Sequence, residues 1–386
     1  MSKKMRIAMF GHKRVPSREG GVEIVVENLS TRMAAQGHQV SCYNRRGHHV
    51  SGAEFDTLRT CTYNGVRVRS VWTLDKKGLA AMTASLSAAV CTAFSRADVV
   101  HIHAEGPAFM CWLPKLFGKR VVVTIHGLDW KREKWKKGFA SKYIHAGEKM
   151  AVRYADEIIV LSRNIQDYFK TTYGRDTVWI PNGVNRPQLR IAKQITDKFG
   201  LWRDGYILFL GRLVPEKGVH YLVEAFRQVK TGKKLIIAGG TSGSDAYIRR
   251  LNELAQGDER IIFTGFVQGK MLEELYSNAY VYVLPSDVEG MPLSLLEAMS
   301  YGNCCLVSSI PECTEVVEDQ AAVFEKGNVD ALRDTLQTLC DDPARVAGYK
   351  ATASDYICGK YNWDDVAKKT MELYDESFAD QQVSVS

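Results

Sequence analysis

Residues 206–218 read YILFLGRLVPEKG, a short apolar run followed at once by glycine and then by charged residues. Five consecutive apolar residues are the length of a buried strand, and a strand without polar alternation is typical of a parallel sheet. The same form recurs downstream in KLIIAG (234–239), RIIFTG (260–265), YVYVL (280–284) and CCLVS (304–308). Because helix-length segments separate these runs, the pattern predicts a parallel α/β domain.

A similar series of strands precedes this stretch. The predicted strands are RIAMF (6–10), QVSCY (39–43), DVVHIHA (98–104), RVVVTIH (120–126), EIIVL (157–161) and TVWI (177–180). A polar stretch near Asn185 to Lys193 separates the two series and has no regular period. We therefore predict two doubly wound α/β domains, residues 1–185 and 186–362, with a C-terminal helix at 363–380 completing the first.

The bulk composition is that of a soluble protein, with 386 residues of which 45% are hydrophobic and 25% charged. The N-terminus lacks the apolar core and cleavage site of a signal peptide, so we expect a cytoplasmic protein.

Residues 78–95 are apolar and uncharged, which fits either a membrane span or a buried helix. The Ser and Thr content of this segment favours the buried helix. Scattered cysteines without a CxxC pair indicate reduced thiols.

The charge is distributed unevenly along the chain. Residues 1–185 contain 29 Lys and Arg against 15 Asp and Glu, a net charge of +14, whereas the remainder carries 22 against 29, a net charge of −7. The segment KREKWKKG (131–138), with Arg45, Arg46, Lys76 and Lys77, is predicted to contact an anionic membrane surface or the pyrophosphate of an acceptor. A solvated loop is the alternative, and without a nucleic-acid-binding motif no nucleic-acid partner is expected.

Residues that follow directly after strands are the candidates for chemistry, because ligands bind at the carboxyl ends of parallel strands. Gly20 and Gly21 stand where the first loop enters a helix, a position that favours phosphate; a flexible loop is the alternative. The loop lacks GxGxxG, which disfavours a dehydrogenase. His126 follows a strand and precedes glycine, so it is predicted to point into the cleft and bond a sugar hydroxyl; an isolated histidine is also compatible with a structural role.

Two cations follow the strand quoted first. Arg212 and Lys217 lie five residues apart in one loop, a pairing that suits a diphosphate, with arginine as a fork and lysine as a point charge. Solvated side chains are the alternative for this pair.

The stretch DVEGMPLSLLEAMSYG (287–302) places one glutamate in a loop and another in an apolar helix. Pro292 fits the first helical turn, and the backbone of Gly290, Met291, Pro292 and Leu293 is predicted to face a ligand. Glu289 is predicted to accept bonds from the hydroxyls of one sugar, and Glu297 from those of a ribose, because a carboxylate accepts from two adjacent hydroxyls. A ribose, two phosphates and a sugar together describe a nucleotide-diphosphate sugar.

These motifs together resemble the GT-B glycosyltransferases of family four. The resemblance rests on Glu289-x7-Glu297, GRLVPEKG, IPNGV (180–184), the Gly20-Gly21 loop and HGLDW (126–130), and it runs over almost the whole chain. The segment VPSREGGVEIVVENL (15–29) is similar to bacterial transferases, several of them rhamnosyltransferases, that build cell-surface polysaccharide on a lipid carrier. One departure is EGMPLSLLE, where many relatives have a second glycine between the first glutamate and the proline.

The resemblance implies a fold of two Rossmann-like domains and a retaining transfer of a sugar, from dTDP-rhamnose or a UDP-sugar, to a lipid-linked or glycan acceptor. It implies no metal and no cofactor besides the nucleotide-sugar co-substrate. By position, Arg212 and Lys217 would neutralise the diphosphate, and Glu289 with the Gly290–Pro292 backbone would hold the donor sugar. His126 would face that sugar, Glu297 would hold the ribose, and Gly20 and Gly21 would contact phosphate.

Two other functions remain compatible with the residues alone. A sugar-nucleotide epimerase or hydrolase would turn over its substrate without an acceptor. A non-catalytic nucleotide-sugar or glycan binding module would have less need of cations directed at a leaving group.

Overall fold

The computed structural model describes residues 4–47, 60–74, 76, 79–128, 130, 139–240 and 245–375. The chain forms two compact units, the first comprising Met1–Asn182 with Trp363–Ser386 and the second Gly183–Asn362. The strands are β1 Arg6–Phe10, β2 Gln39–Arg45, β3 Thr60–Tyr63, β4 Val66–Val71, β5 Val99–His103, β6 Arg120–Ile125, β7 Glu157–Val160, β8 Val178–Trp179, β9 Tyr206–Leu210, β10 Lys234–Ala238, β11 Ile261–Gly265, β12 Val281–Leu284, β13 Cys304–Ser308 and β14 Ala322–Phe324. The helices are α1 Gly21–Ala35, α2 Ala80–Ala93, α3 Glu105–Ala108, α4 Trp112–Leu116, α5 Phe139–Tyr154, α6 Arg163–Tyr173, α7 Gln194–Phe199, α8 Val219–Phe226, α9 Asp245–Ala255, α10 Gly269–Asn278, α11 Leu293–Ser300, α12 Pro311–Val317, α13 Val329–Asp341, α14 Pro343–Lys360 and α15 Trp363–Tyr374.

The first unit is built on one eight-stranded sheet in the order β3-β4-β2-β1-β5-β6-β7-β8. Its strands are parallel except β3, which pairs antiparallel with β4 through a turn at Asn64 and Gly65, both at positive φ. The predicted strands of this half are present within one or two residues at each end, but β3 and β4 were not predicted. A doubly wound α/β fold is thus confirmed for this unit, with an added edge hairpin.

Helix α2 corrects one sequence prediction. The helix exists, and one face buries Ala84, Ser85, Ala88, Ala89, Thr92 and Ala93. On the opposite face Leu86 and Val90 are exposed, as is Phe94 directly after the helix, so the helix predicted to be buried is buried on one face only. Across the described ranges, no helix combines the length and the apolar character that a membrane crossing requires.

The second unit contains a six-stranded parallel sheet in the order β11-β10-β9-β12-β13-β14. The strand quoted first, β9, lies at its centre between β10 and β12. Strands β12 and β13 are buried along their whole length, which explains their unbroken apolar sequences. Strand β14 was not predicted. The carboxyl ends of β9 and β12 are therefore adjacent, and the loops that follow them meet at one edge.

Candidate active site

The loop after β9 is held tightly against the loop after β12. Gly218 has a φ of +64°, and a Cβ atom there would lie 2.0 Å from the carbonyl oxygen of Pro285. The Asp287 backbone N–H donates to the Glu216 carbonyl oxygen at 2.9 Å. Only glycine allows this approach, which places the preceding residue, Lys217, beside the Glu289 loop.

Lys217 and Glu289 form an ion pair at this junction. The ammonium nitrogen lies 2.5 Å from Oε1 of the carboxylate, and the side chains are 14% and 7% exposed. The Ser286 hydroxyl donates to the same oxygen at 2.6 Å. Two of the predicted site residues are thus in direct contact, and a cation is held beside the carboxyl ends of the central strands. Arg212 lies in the same loop as Lys217, immediately after Gly211.

The segment after Glu289 leads directly into α11. Gly290, Met291, Pro292 and Leu293 are all buried. The sequence predicts Pro292 in the first turn; in the structure it is the residue before the helix, with φ −75° and ψ 105°. The difference is small, because the first-turn N–H groups still have no acceptor within the helix and remain directed toward its N-terminal end.

Glu297 is positioned by a tyrosine that the sequence did not single out. The Tyr276 hydroxyl donates to Glu297 Oε2 at 3.1 Å and also lies 3.3 Å from the Ser294 carbonyl oxygen. Burial raises the pKa of Tyr276 well above its ordinary value, so the hydroxyl keeps its proton and acts as a donor. A second tyrosine, Tyr282, bonds the Ser294 hydroxyl at 2.9 Å rather than Glu297. Tyr276 therefore fixes one oxygen of the carboxylate predicted to bind ribose.

In the first unit, the loop after β1 is rigidly fastened to its neighbours. Gly11 has a φ of +108°, and a Cβ there would lie 2.1 Å from the His103 carbonyl oxygen. Asn44 bonds the backbone N–H and carbonyl of Val15 and the ring of His12, all at 3.0–3.1 Å. Burial lowers the pKa of His12 to about 4, so the ring is neutral at pH 7. The polar loop is thus ordered by buried side-chain bonds.

Gly20 and Gly21 lie at the start of α1, as predicted, but a carboxylate lies beside them. Glu23 is 4% exposed and accepts a bond from the Lys13 backbone N–H at 2.8 Å. A Cβ on Gly20 would lie 2.5 Å from Glu23 Oε2, so this carboxylate is close to the glycine itself. An anion approaching here meets a negative charge, whereas a hydroxyl meets an acceptor. The predicted phosphate contact remains a prediction.

His126 is the outermost ring of a histidine cluster. Its Nε2 lies 3.1 Å from Nδ1 of His103, whose ring stacks on His101 at 4.1 Å between centroids. His101 bonds the hydroxyls of Thr124 and of Tyr374 from α15 at 2.7 and 2.6 Å. Burial lowers the pKa of His101 to about 3 and that of His103 well below its ordinary value. Both inner rings are therefore neutral, and they fix the position of His126.

Part of the HGLDW motif is also anchored. The Trp130 indole N–H donates to Oε2 of the fully buried Glu148 at 3.3 Å, and the Tyr168 hydroxyl donates to Oε1 at 2.8 Å. Asp129, Lys77 and the basic segment 131–138 lie outside the described residues.

The structure therefore assembles two sets of predicted residues. In the second unit, Lys217 touches Glu289, and Glu297 follows in the adjacent helix. In the first unit, His126 and the Gly20-Gly21 loop lie at the carboxyl-end edge of the sheet. Within the described ranges, no three His, Cys, Asp or Glu side chains are grouped so as to hold a metal ion.

Comparison with known proteins gives two family matches, one for each half of the chain. Residues 19–187 match the family described as Glycosyltransferase Family 4, and residues 194–355 match Glycosyl transferases group 1.

Individual relatives agree with these matches. The chain is 26% identical to the uncharacterized glycosyltransferase MJ1607 of Methanocaldococcus jannaschii over 96% of its length and 98% of that protein. It is 31% identical to O-antigen chain mannosyltransferase B of Escherichia coli over 47% of this chain and 48% of that protein.

The fold comparison covers nearly the whole chain. HepE of Anabaena, solved in complex with UDP-glucose, superimposes with a TM-score of 0.77 at 16% sequence identity over 99% of this chain and 100% of that one. Both sheets, their order and the family matches lead to the same assignment. Each half of this chain therefore matches a glycosyltransferase family, and its fold is that of the GT-B glycosyltransferases.

Proposed function

We propose that this protein is a retaining, metal-independent hexosyltransferase that moves a sugar from a nucleotide-diphosphate sugar to a lipid-linked or oligosaccharide acceptor in bacterial cell-surface polysaccharide synthesis. The observation that carries the proposal is the largely buried cation of Lys217 at the carboxyl ends of β9 and β12, next to Glu289, with Glu297 in the helix α11 that follows. This arrangement matches a donor that carries a diphosphate between two groups of hydroxyls.

In the proposed reaction, the bond between the anomeric carbon and the diphosphate oxygen breaks, and its electron pair leaves with the diphosphate. The acceptor hydroxyl oxygen bonds to the anomeric carbon and gives its proton to the departing diphosphate. Lys217 and Arg212 stabilise that charge, which is the largest catalytic contribution expected from fixed cations. Glu289 and the backbone of residues 290–292 hold the donor sugar, and His126 faces it. Glu297, fixed by Tyr276, binds the ribose hydroxyls.

The Lys217–Glu289 ion pair must open when the donor binds. Because Lys217 is already paired with Glu289, the arriving diphosphate competes with Glu289 for the ammonium group of Lys217. The hydroxyls of the donor sugar then take the place of that ammonium group at the Glu289 carboxylate. The two halves of the ion pair would then each bind a different part of the same donor. A UDP-sugar offers Glu297 both ribose hydroxyls, whereas dTDP-rhamnose offers only the 3′-hydroxyl of its deoxyribose. The test below distinguishes the two donors.

Support for the acceptor class comes from charge and from a relative. The first half of the sequence is strongly basic, and the matched relative acts in an O-antigen chain. We place the protein in the cytoplasm, peripheral on the inner face of the membrane. Flotation with anionic vesicles at physiological salt, with and without neutral replacements in KREKWKKG, tests the contribution of that segment.

The decisive experiment measures the melting temperature with UDP, dTDP, GDP and their common sugars, with and without EDTA. A ligand that binds only the folded state raises the melting temperature according to its occupancy. The proposal expects one diphosphate to stabilise the protein in EDTA and Lys217→Ala to abolish most of that shift. Lys326→Ala, an exposed lysine of the same unit, is the matched control.

The preferred donor is then supplied with a lipid-linked acceptor, and the product anomer is assigned by NMR. Turnover of the donor without acceptor would favour an epimerase or hydrolase. Donor binding without any turnover, unchanged in Lys217→Ala and Glu289→Ala, would indicate a binding module and overturn the proposal.

A further inference from the structure

The exposed face of α2 continues into a larger apolar surface in the first unit. Among the described residues, seven well-exposed large apolar side chains belong to α2 and the segments next to it: Trp72, Leu79, Leu86, Val90, Phe94, Leu116 and Phe117. We call this surface the α2 ridge. Phe94 and Leu116 are 71% and 73% exposed. Contiguous apolar surface of this kind marks a site of interaction.

Specific contacts hold the ridge together as one surface. The rings of Phe94 and Phe117 meet edge to face with centroids 4.6 Å apart, which joins the end of α2 to the end of α4. At the other end, the Ser87 hydroxyl donates to the Trp72 carbonyl oxygen at 2.9 Å. The Leu74 N–H donates to the Thr83 hydroxyl at 3.0 Å. The ridge is therefore a fixed feature of the fold.

The helix sequence is unusual for an exposed position. A solvent-facing helix normally carries charged residues on its outer face, but Ala80–Ala93 contains no Asp, Glu, Lys or Arg. The helix is 14 residues long, about 21 Å at 1.5 Å per residue. Water is thus a poor environment for this face over most of its length.

Cationic side chains flank the ridge at both ends. Beside Phe94, a groove of about 550 Å³ is lined by Arg6, Arg67, Arg69, Arg96, Gln39 and Ser41 among others. Arg6 is already paired with Asp98, and Arg69 bonds Tyr43, whereas Arg67 and Arg96 are exposed. Lys119, which bonds the Ser95 carbonyl oxygen at 2.7 Å, lies near the same end, and exposed Lys76 lies at the other. An apolar strip bordered by cations complements an anionic lipid surface.

The ridge is also connected to the carboxyl-end edge where the candidate site lies. Thr73, next to Trp72, accepts a hydrogen bond from the Arg46 N–H at 3.0 Å. The adjacent Arg45 N–H donates to the Lys13 carbonyl oxygen at 2.7 Å, and Lys13 bonds Glu23 beside Gly20. Hydrogen bonds thus link the Trp72 end of the ridge to the Gly20 loop through two short segments of chain.

We infer that the α2 ridge is the surface by which this protein docks on a bilayer containing anionic phospholipid, with the apolar side chains in the interfacial layer and the flanking arginines against headgroup phosphates. The inference rests on the proposed function in one respect, since a lipid-linked acceptor requires access to a membrane. A second copy of the chain is disfavoured as the occupant, because twofold pairing would bring both sets of cations to one interface, where like charges repel.

The test is flotation of the full chain with phosphatidylcholine vesicles and with vesicles that also contain phosphatidylglycerol. The ridge variant Leu86→Gln with Val90→Gln changes exposed side chains only, so the fold is expected to persist. It should partition onto anionic vesicles about tenfold more weakly than the wild type. The matched control is Leu189→Gln with Ile191→Gln, at 68% and 84% exposed positions of the second unit, and it should bind as the wild type does.

A charge variant examines the other half of the interaction. Arg67→Glu with Arg96→Glu should lose binding to the anionic vesicles and remove most of its dependence on salt. Arg203→Glu, an exposed arginine of the second unit, is the control.

A fluorescence experiment locates the Trp72 end. Brominated lipid in the vesicles should quench the tryptophan fluorescence of the wild type, and Trp72→Phe should lose a large part of that quenching.

Each result separates the docking surface from the proposed activity. Wild-type binding by both the ridge variant and the charge variant would overturn the inference, as would no vesicle binding by the wild type. A lipid-independent dimer that dissociates in the Leu86→Gln, Val90→Gln variant would assign the ridge to a second copy instead. The melting-temperature shift caused by the nucleotide donor is measured on every variant. If a variant shows this shift but does not bind vesicles, the transferase proposal stands. If the shift is absent, the result counts against the transferase proposal alone.

Discussion

Lys217 and Glu289 are 72 positions apart in the sequence, yet their charged groups lie 2.5 Å apart and are almost shielded from water. The pair exists because Gly218 lets its loop contact Pro285. Removing one member of a buried pair leaves an uncompensated charge, which costs more than removing both.

Lys217→Ala is therefore expected to lower the free energy of unfolding by about 3 kcal/mol, and Lys217→Ala with Glu289→Ala by less than that. Both variants should lose transfer by about 10²-fold or more, because the diphosphate charge is no longer stabilised. Urea unfolding and initial rates measure the two effects separately. Additive destabilisation in the double variant would show that the pair is not coupled in solution.

Tyr276 offers a sharper test of the ribose assignment. Tyr276→Phe removes the donor to Glu297, so affinity for the nucleotide should fall about five- to tenfold, an effect of about 1–1.4 kcal/mol. Tyr282→Phe is the matched control, because that buried hydroxyl bonds Ser294 instead. Calorimetry with the ribonucleotide and its 2′-deoxy analogue should show that Tyr276→Phe reduces the preference for the ribose form. Equal losses in both variants would mean that the tyrosines act through stability only.

The sequence predicts the two sheets well because their strands are unbroken apolar runs, which is the pattern of parallel strands buried on both faces. The β3-β4 hairpin was missed, although Asn64-Gly65 is a strong turn signal, because its strands are short and polar on one face. The buried face of α2 consists of Ala, Ser and Thr, whereas the exposed face carries larger apolar residues such as Leu86 and Val90. Because neither face is charged, polarity could not distinguish them.

The site residues were predictable where a residue type has a specific use, as for Lys217, Glu289 and His126. Their partners were not, because the roles of Tyr276 and His103 depend on the packing of distant elements. Glu23 could have been noticed from its place in the first turn of α1, where an acid stabilises the helix N-terminus. Its closeness to Gly20 is a property of the three-dimensional loop alone.

Gly20→Ala tests that loop directly. The new methyl group would meet Glu23 Oε2 at 2.5 Å, so the carboxylate must move and weaken its bond to the Lys13 N–H. We expect a severalfold loss of affinity for the nucleotide diphosphate, because Gly20 is predicted to contact phosphate. Gly232→Ala is the control, since a Cβ there meets nothing within 4 Å. Unchanged affinity in Gly20→Ala would exclude this corner from phosphate binding.

His103 is expected to act by holding His126 in place. His103→Leu removes the 3.1 Å contact with the His126 ring, so kcat should fall by about tenfold or more. His103→Asn, which retains a polar group, should recover part of that loss. His126→Ala combined with His103→Leu should be no slower than His126→Ala alone, because the effect passes through the same ring. Independent, multiplying losses would show that His103 has a separate role.

The buried histidines also predict how stability depends on pH. His101 has a pKa lowered to about 3 and His12 to about 4 by burial, whereas both titrate near 6.5 in the unfolded chain. Below pH 6.5 the unfolded state therefore binds protons that the folded state does not, so stability falls as the pH falls toward 4. Each such histidine contributes a slope of about 1.4 kcal/mol per pH unit. In His101→Gln, urea unfolding between pH 6 and 4.5 should show a slope smaller by about that amount, and an unchanged slope would mean that His101 is protonated in the folded protein.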